Sequence, residues 1–229
     1  MTPLDESPAP AFLFDLDGTL VDTVYGHVLA WHKVLEEGGF EVEGWKVHRL
    51  IGMSGGLLTK AAAHEIGREL SEGEAERLQK RHGEVYKELM PRRRALPGAI
   101  ELLRHLHDTR VKFGIATSGR RQDAKASLDV LQLPGDAVIV DRNDVERAKP
   151  EPDLFLAVQE QLKVRPEECY VVGDAVWDLL AARRAAMLGI GLLSGGYGHE
   201  ELDRAGAYRV YSNPAELLSS IYQLGLRSA

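Results

Sequence analysis

Cysteine is nearly missing: Cys169 is the single one among 229 residues. An internal disulfide is therefore excluded, and a reducing, cytoplasmic setting is the expectation. No apolar run approaches 18 residues, the length at which a membrane-spanning helix becomes a candidate, so a soluble protein without a membrane partner is expected. Basic residues are outnumbered, with 28 Lys and Arg against 35 Asp and Glu and a net charge of −7. That balance argues against nucleic acid as a partner, because phosphate backbones select basic surfaces. The glycine signatures G-x-G-x-x-G and G-x-x-x-x-G-K-[ST] are absent, and "GGYG" at 195–198 does not supply one. Neither NAD nor ATP is indicated. The opening "MTPLDESPAP" is acidic and proline-rich and lacks the apolar stretch of a signal peptide.

What is present is an ordinary core-forming composition, 44% hydrophobic and 28% charged. Short apolar runs that read as buried strands occur at "AFLF" (11–14), "VKFGIAT" (111–117), "CYVVG" (169–173) and "GIGLLS" (189–194), with "AVIV" (137–140) and "YRVY" (208–211) as additions. Segments of helical period lie between them, including "GAIELLRHLHD" (98–108), "DLFLAVQEQL" (153–162) and "VWDLLAARRAAM" (176–187). This alternation predicts an α/β fold: a Rossmann-like parallel sheet with helices on both faces. Residues 24 to 90 instead carry helical patterns and no convincing strand. An inserted helical domain over 22–94 is expected, with 1–21 and 95–229 forming the α/β domain and hinges near 20–24 and 91–97. The arginines of "PRRRALPG" (91–98) read most simply as solvated linker charges.

Ligands of open parallel sheets bind beyond the carboxyl ends of the strands. In that position this sequence places Asp15-x-Asp17 after the first strand, Thr117-Ser118-Gly119 after the second, and Asp174 with Asp178 after "CYVVG"; Lys149 of "AKPEPD" follows "AVIV". Four carboxylates would repel a phosphate dianion unless a hard divalent cation sat among them. Mg²⁺ takes oxygen ligands, typically one or two carboxylates with waters and phosphate oxygens. Asp15 and Asp174 are candidate ligands, Asp17 could offer its backbone carbonyl, and Asp178 could bind the ion or orient a coordinated water. Asp15 could then attack phosphorus as a nucleophile, while Asp17 protonates the departing alcohol. Lys149 would offset the crowded negative charge. Thr117 and Ser118, with Gly119 in the same turn, would hold phosphate oxygens, and Gly18 would let the chain turn close to them.

Each piece also has a plainer use. "DLDG" is compatible with a turn, "ATSGR" with a helix cap ahead of Arg121, "GDAVWD" with a cap at Asp174, and Lys149 with the surface. Their shared order, each behind an apolar strand, fits such separate uses poorly.

Taken together, "DLDGTLVDT", "IATSG", "AKPEPDLF" and "YVVGDAVWD" resemble the four ordered motifs of the haloacid dehalogenase-like hydrolase superfamily across essentially the whole chain. The resemblance implies a mobile helical cap inserted after the first motif, the C1 arrangement. It also implies Asp15 as nucleophile, Asp17 as acid–base group, Thr117 as phosphate-binding hydroxyl, Lys149 as stabilising cation, and Asp174 with Asp178 at Mg²⁺. The activity it implies is a Mg²⁺-dependent phosphatase acting, as a monomer, on a small phosphorylated metabolite such as phosphoglycolate or a sugar phosphate. Asp17 separates this chain from the metal-free dehalogenases, which lack that second aspartate. Phosphonate hydrolases use a cap lysine, for which Lys46 and Lys60 give no specific match. The rival is a β-phosphoglucomutase-like enzyme, to whose hinge residues His27 and Trp31 are similar. The substrate-reading arginine and lysine of that subgroup would fall near Ser54-Gly55 and His82, so both contacts are expected to be absent or replaced. His27 is expected to meet Asp17 when the cap closes, although packing in a core is its alternative use.

Overall fold

A computed structural model describes residues 10–226. Residues 1–9, which hold most of the acidic opening segment, and 227–229 lie outside the described residues. The strands are β1 (Ala11–Asp15), β2 (Phe113–Ala116), β3 (Val138–Val140), β4 (Cys169–Gly173), β5 (Leu188–Leu192) and β6 (Ala207–Tyr211). They form one parallel sheet in the order β3-β2-β1-β4-β5-β6. Helices α1 (Val24–Glu37), α2 (Gly44–Leu50), α3 (Gly55–Glu65) and α4 (Glu72–Leu89) follow β1 without an intervening strand. The remaining helices are α5 (Ala99–Asp108), α6 (Arg121–Asp129), α7 (Asp153–Leu162), α8 (Val176–Arg184), α9 (His199–Ala205) and α10 (Pro214–Ser219). Among the described residues, no helix is long and apolar enough to cross a membrane.

The first strand is apolar without alternation because both of its faces are covered. Phe12 and Phe14 join Leu102 and Leu106 of α5 and Leu217 of α10. Ala11 and Leu13 face the other way, among Leu154, Phe155 and Val158 of α7 and Ala181 and Ala182 of α8. Sheet order reverses direction at β1, since β2 lies on one side and β4 on the other. The carboxyl end of β1 is thus the switch point at which such sheets bind ligands, and Asp15 is its last residue.

The four helices between β1 and α5 bury their own apolar side chains. Trp31, Leu35, Phe40, Val47 and Leu58 form one cluster, and Ala30 and Val34 pack on Val85 and Tyr86 in another. Helix α4 begins with reciprocal bonds between Ser71 and Glu74, a capping box that satisfies otherwise orphaned backbone donors. The chain leaves and re-enters the sheet along two adjacent paths. Asp22 N–H donates to Arg94 O and Leu96 N–H to Leu20 O, both at 2.9 Å.

Several expectations need adjusting. Helix α2 has no counterpart in the sequence reading, because its seven residues bury Val47 alone and so show no period. Lys149 is separated from β3 by a 3₁₀ turn over Arg142–Asp144. Arg93 is not a free linker charge: its guanidinium lies 4.3 Å from the ring centre of Tyr86. Trp45 is exposed, whereas Trp177 Nε1 donates to Arg49 O at 2.9 Å and ties α8 to the end of α2.

Leu102 is fully buried at the centre of the larger core. Leu102→Ala should lower unfolding free energy by about 2–5 kcal/mol, measured as a shift in urea midpoint at unchanged slope.

Candidate active site

Asp15, Asp174 and Asp178 are all buried, and one carboxylate oxygen from each lies within 4.8 Å of the others. Lys149, also fully buried, is their cation. Its ammonium is bonded to Asp15 Oδ1 and sits 2.8 Å from Asp178 Oδ1, with the Phe155 ring centre 5.0 Å away. One positive charge therefore faces three potential negative ones. Burial pushes the Asp15 carboxyl up to about 7 against the opposing pull of Lys149, with Asp178 and Asp17 adding repulsion. Burial also holds Asp174 well above the usual range, reinforced by Asp15 and Asp178. Lys149 is affected the opposite way: burial alone would lower its pKa, but Asp15 and Asp178 together raise it above the ordinary lysine value.

The surrounding loops build this enclosure. Thr19 Oγ1 donates to Asp174 Oδ1 at 2.9 Å. Gly18 has φ +91°, and a Cβ there would collide with Asp174 and Val24, so only glycine fits. Gly195 is subject to the same limit, since a Cβ on it would strike Asp174 Oδ2. Ser194 Oγ donates to Gly18 O at 2.6 Å, locking the loop after β5 onto the loop after β1. Asp178 supplies the cap that the sequence reading considered for Asp174: Ala175 N–H donates to Asp178 Oδ2 at 3.1 Å. Asp178 Oδ1 is held by Lys149.

Asp17 stands apart from this group. Its Oδ1 accepts from Thr23 Oγ1 at 2.8 Å and lies 3.5 Å from His27 Nε2. Burial alone would raise the Asp17 carboxyl, but His27, Thr23 and Lys149 outweigh it and hold the group below its ordinary value. His27 Nδ1 in turn lies 3.2 Å from His82 Nε2, where burial and His27 keep His82 well below the usual imidazole range.

Asp15, Asp17, His27, Ser118 and Gly119 line a cavity of about 1090 Å³ between the sheet's carboxyl edge and the inserted helices. Lys149, Asp174 and Asp178 lie beneath that lining. Thr117 is buried, and its hydroxyl accepts from Gly119 N–H at 3.1 Å. Ser118 Oγ donates to Gly52 O at 3.2 Å, joining the two sides of the cavity. The cap function considered for "ATSGR" falls instead to Asp141, whose Oδ2 accepts from Arg121 N–H at 3.1 Å. Lys46 pairs with Glu43 and Glu65 at 3.1 and 3.3 Å, and neither it nor Lys60 lines the cavity. Thr19, Thr23, Ser194, Gly195 and, as a partner of His27, His82 were missed by the sequence reading. "GGYG" carried a signal, since glycine behind a strand demands a reason, but that reason is room for Asp174.

The donor set suits a hard cation. Three buried carboxylates share one ammonium; oxygen-only donors of this kind match Mg²⁺ or Ca²⁺ rather than a soft metal.

An α/β protein with acidic residues gathered at the switch point of its parallel sheet is the class these features describe. Residues 9–186 match the haloacid dehalogenase-like hydrolase family, and the chain belongs to that family. It is 35% identical over 175 residues to hexitol phosphatase A of Escherichia coli, covering 76% of this chain and 78% of the relative. It is 31% identical over 191 residues to β-phosphoglucomutase of Bacillus subtilis, covering 81% and 84%. A crystal structure of a hydrolase from Pseudomonas syringae superimposes with a TM-score of 0.91 at 46% identity, over 94% of this chain and 99% of that one.

Lys149→Met would leave three buried carboxylates without their cation. The substitution should cost about 3–5 kcal/mol of stability when unfolding is followed in metal-free buffer.

Proposed function

We propose that this chain is a Mg²⁺-dependent phosphatase that hydrolyses a small phosphorylated metabolite through an aspartyl-phosphate on Asp15. The observation that carries the reading is the cavity whose floor holds Asp15 and Asp17 above the buried Lys149, Asp174 and Asp178. A hydrolase of phosphate monoesters also fits the phosphatase among its relatives.

Asp15, Asp174 and Asp178, with the main-chain carbonyl of Asp17, would hold Mg²⁺, which when bound supplies the positive charge that lets a phosphate dianion approach this acidic floor. Asp15 Oδ1 is tied to Lys149, and among the described residues no hydrogen bond engages Oδ2. A carboxylate oxygen of Asp15 attacks phosphorus, and the bond from phosphorus to the ester oxygen breaks. Asp17 gives its proton to that oxygen, releasing the alcohol. Thr23 and His27 both face Asp17 Oδ1, which leaves Oδ2 as the oxygen that carries the transferred proton. In the second step water attacks phosphorus, its proton passes to Asp17, and phosphate departs with the Asp15 carboxylate restored. Thr117 shapes the turn whose Ser118 and Gly119 line the cavity and would receive phosphate oxygens, while Gly18, whose N–H donates to Val21 O, gives the first loop its tight turn and is not a phosphate donor.

Residues 22–94 act as the cap over a core of 1–21 and 95–229. Ser118 to Gly52 and Lys87 to Asp123, at 3.2 and 3.0 Å, are contacts that cap opening would break, and closure would exclude bulk water. A cavity of about 1090 Å³, lined also by Gln79, Gln122, Asn143 and Arg120, favours a sugar or polyol phosphate over phosphoglycolate. The chain acts as a cytoplasmic monomer.

The second reading is a phosphosugar mutase, supported by the β-phosphoglucomutase relative and by His27 and Trp31 at the cavity. The lining near Ser54-Gly55 offers no arginine, and His82 stands where that subgroup has its lysine. Incubation with β-glucose 1-phosphate separates the two: free phosphate should accumulate, and glucose 6-phosphate as the main product would reverse the order.

Asp15→Asn should lower turnover by at least about 10³-fold at an unchanged circular-dichroism spectrum. EDTA should abolish phosphate release from p-nitrophenyl phosphate, and added Mg²⁺ should restore it.

A further inference from the structure

Four rings from two inserted helices are stacked beside Asp17. His27 lies on Tyr86, with ring centres 3.8 Å apart and planes 11° from parallel. His82 lies on Trp31 at 4.1 Å and 11°, and the two histidines face one another at 5.2 Å. Packing between flat aromatic faces leaves each imidazole little freedom other than to turn in its own plane. Within that constraint the nitrogens form a line: Asp17 Oδ1, then His27 Nε2 at 3.5 Å, then His27 Nδ1 to His82 Nε2 at 3.2 Å. Among the described residues no hydrogen bond reaches His82 Nδ1.

We propose that His82 is a positioning residue, which holds His27 in the tautomer that presents Nε2–H to Asp17. This proposal rests on the reading of Asp17 as the acid–base group.

Proton accounting leads there. Whether or not Oδ2 carries the proton, Asp17 Oδ1 only accepts, so the ring atom facing it carries hydrogen. A neutral His27 with hydrogen on Nε2 has a bare Nδ1. Two neutral imidazole nitrogens in contact share one hydrogen, so His82 Nε2 must donate and His82 Nδ1 is bare. Enclosure holds His82 uncharged, which keeps it available for this single-donor role. His82 touches neither phosphorus nor the leaving oxygen in this scheme; it acts through His27. Without the His82 donor, His27 can adopt the other tautomer and turn a lone pair toward the Asp17 carboxylate. Asp17 Oδ1 would then keep only Thr23, and the placement of its proton on Oδ2 would loosen.

Histidine tautomers are read by ¹⁵N NMR of labelled protein, independently of turnover. Wild-type His27 should show a protonated Nε2 and a bare Nδ1. His82→Phe retains a flat ring against Trp31 but removes the donor. It should mix the His27 tautomers and lower kcat for p-nitrophenyl phosphate about three- to tenfold, the worth of one hydrogen bond. His82→Gln, whose amide can donate, should restore the wild-type His27 pattern and most of kcat. The proposal is overturned if wild-type His27 is protonated mainly on Nδ1, or if His82→Phe changes neither the His27 pattern nor kcat. Should His82→Phe fail to fold, the wild-type spectrum and His82→Gln still decide. Asp17→Asn is the separate control: a fully active Asp17→Asn enzyme removes the acid–base reading, whereas an inactive one alongside an unaffected His82→Phe removes only the role of His82.

Discussion

Three carboxylates enclosed with a single ammonium set the terms for everything near the switch point of this sheet. Charges taken from water at such a density are unfavourable unless they are compensated, and Lys149 compensates only part of the excess. The loops around the group respond to that demand. Thr19 gives a hydrogen bond to Asp174, Ala175 N–H gives one to Asp178, and Gly18 and Gly195 yield the space in which Asp174 lies. The residual negative charge is the reason a hard cation fits this group of oxygens. Asp17, one turn away and supplied with its own donors, escapes the upward shift that burial imposes on Asp15 and Asp174. Two aspartates separated by one residue therefore differ in proton affinity because their neighbours differ.

The insertion of four helices right after β1 gives this chemistry its second wall. The two crossings pair side by side, the end of α2 meets Trp177, and the loop after α2 meets Ser118. His27 stands at the first of these crossings and can meet Asp17 only because α1 begins there. His82 and Tyr86 arrive from α4, whose start is fixed by its capping box. The orientation of an imidazole beside Asp17 thus depends on how α1 and α4 pack.

Much of this was legible beforehand. Buried strands announce themselves as apolar runs, and Asp15, Asp17, Thr117 and Asp174 stood out because charged or hydroxyl residues follow such runs closely, whereas Lys149 and Asp178 stood out through the shared order of the motifs. The family resemblance rested on the same stretches. Helix α2 was not legible, because a seven-residue helix with one buried side chain has no period to detect. Arg93 was misread because a ring 4.3 Å away is invisible to a charge pattern. The helix caps moved between neighbours: Asp178 and Asp141 hold the backbone donors for which Asp174 and the "ATSGR" turn had been considered. Capping depends on which side chain a loop turns toward the helix end, and spacing alone leaves several options.

The order of strands and helices, the place of the insertion and the chemical types available at each strand end were properties of the linear chain, since apolar periodicity and side-chain chemistry are local. The company each group keeps was decided in three dimensions. Lys149 is 134 residues from Asp15, Thr19 is 155 from Asp174, and His82 is 55 from His27. Whether a carboxylate is charged, which nitrogen bears a hydrogen and why a glycine is obligatory all depend on distances of a few ångströms. Only the folded sheet, with the inserted helices packed across its edge, sets those distances.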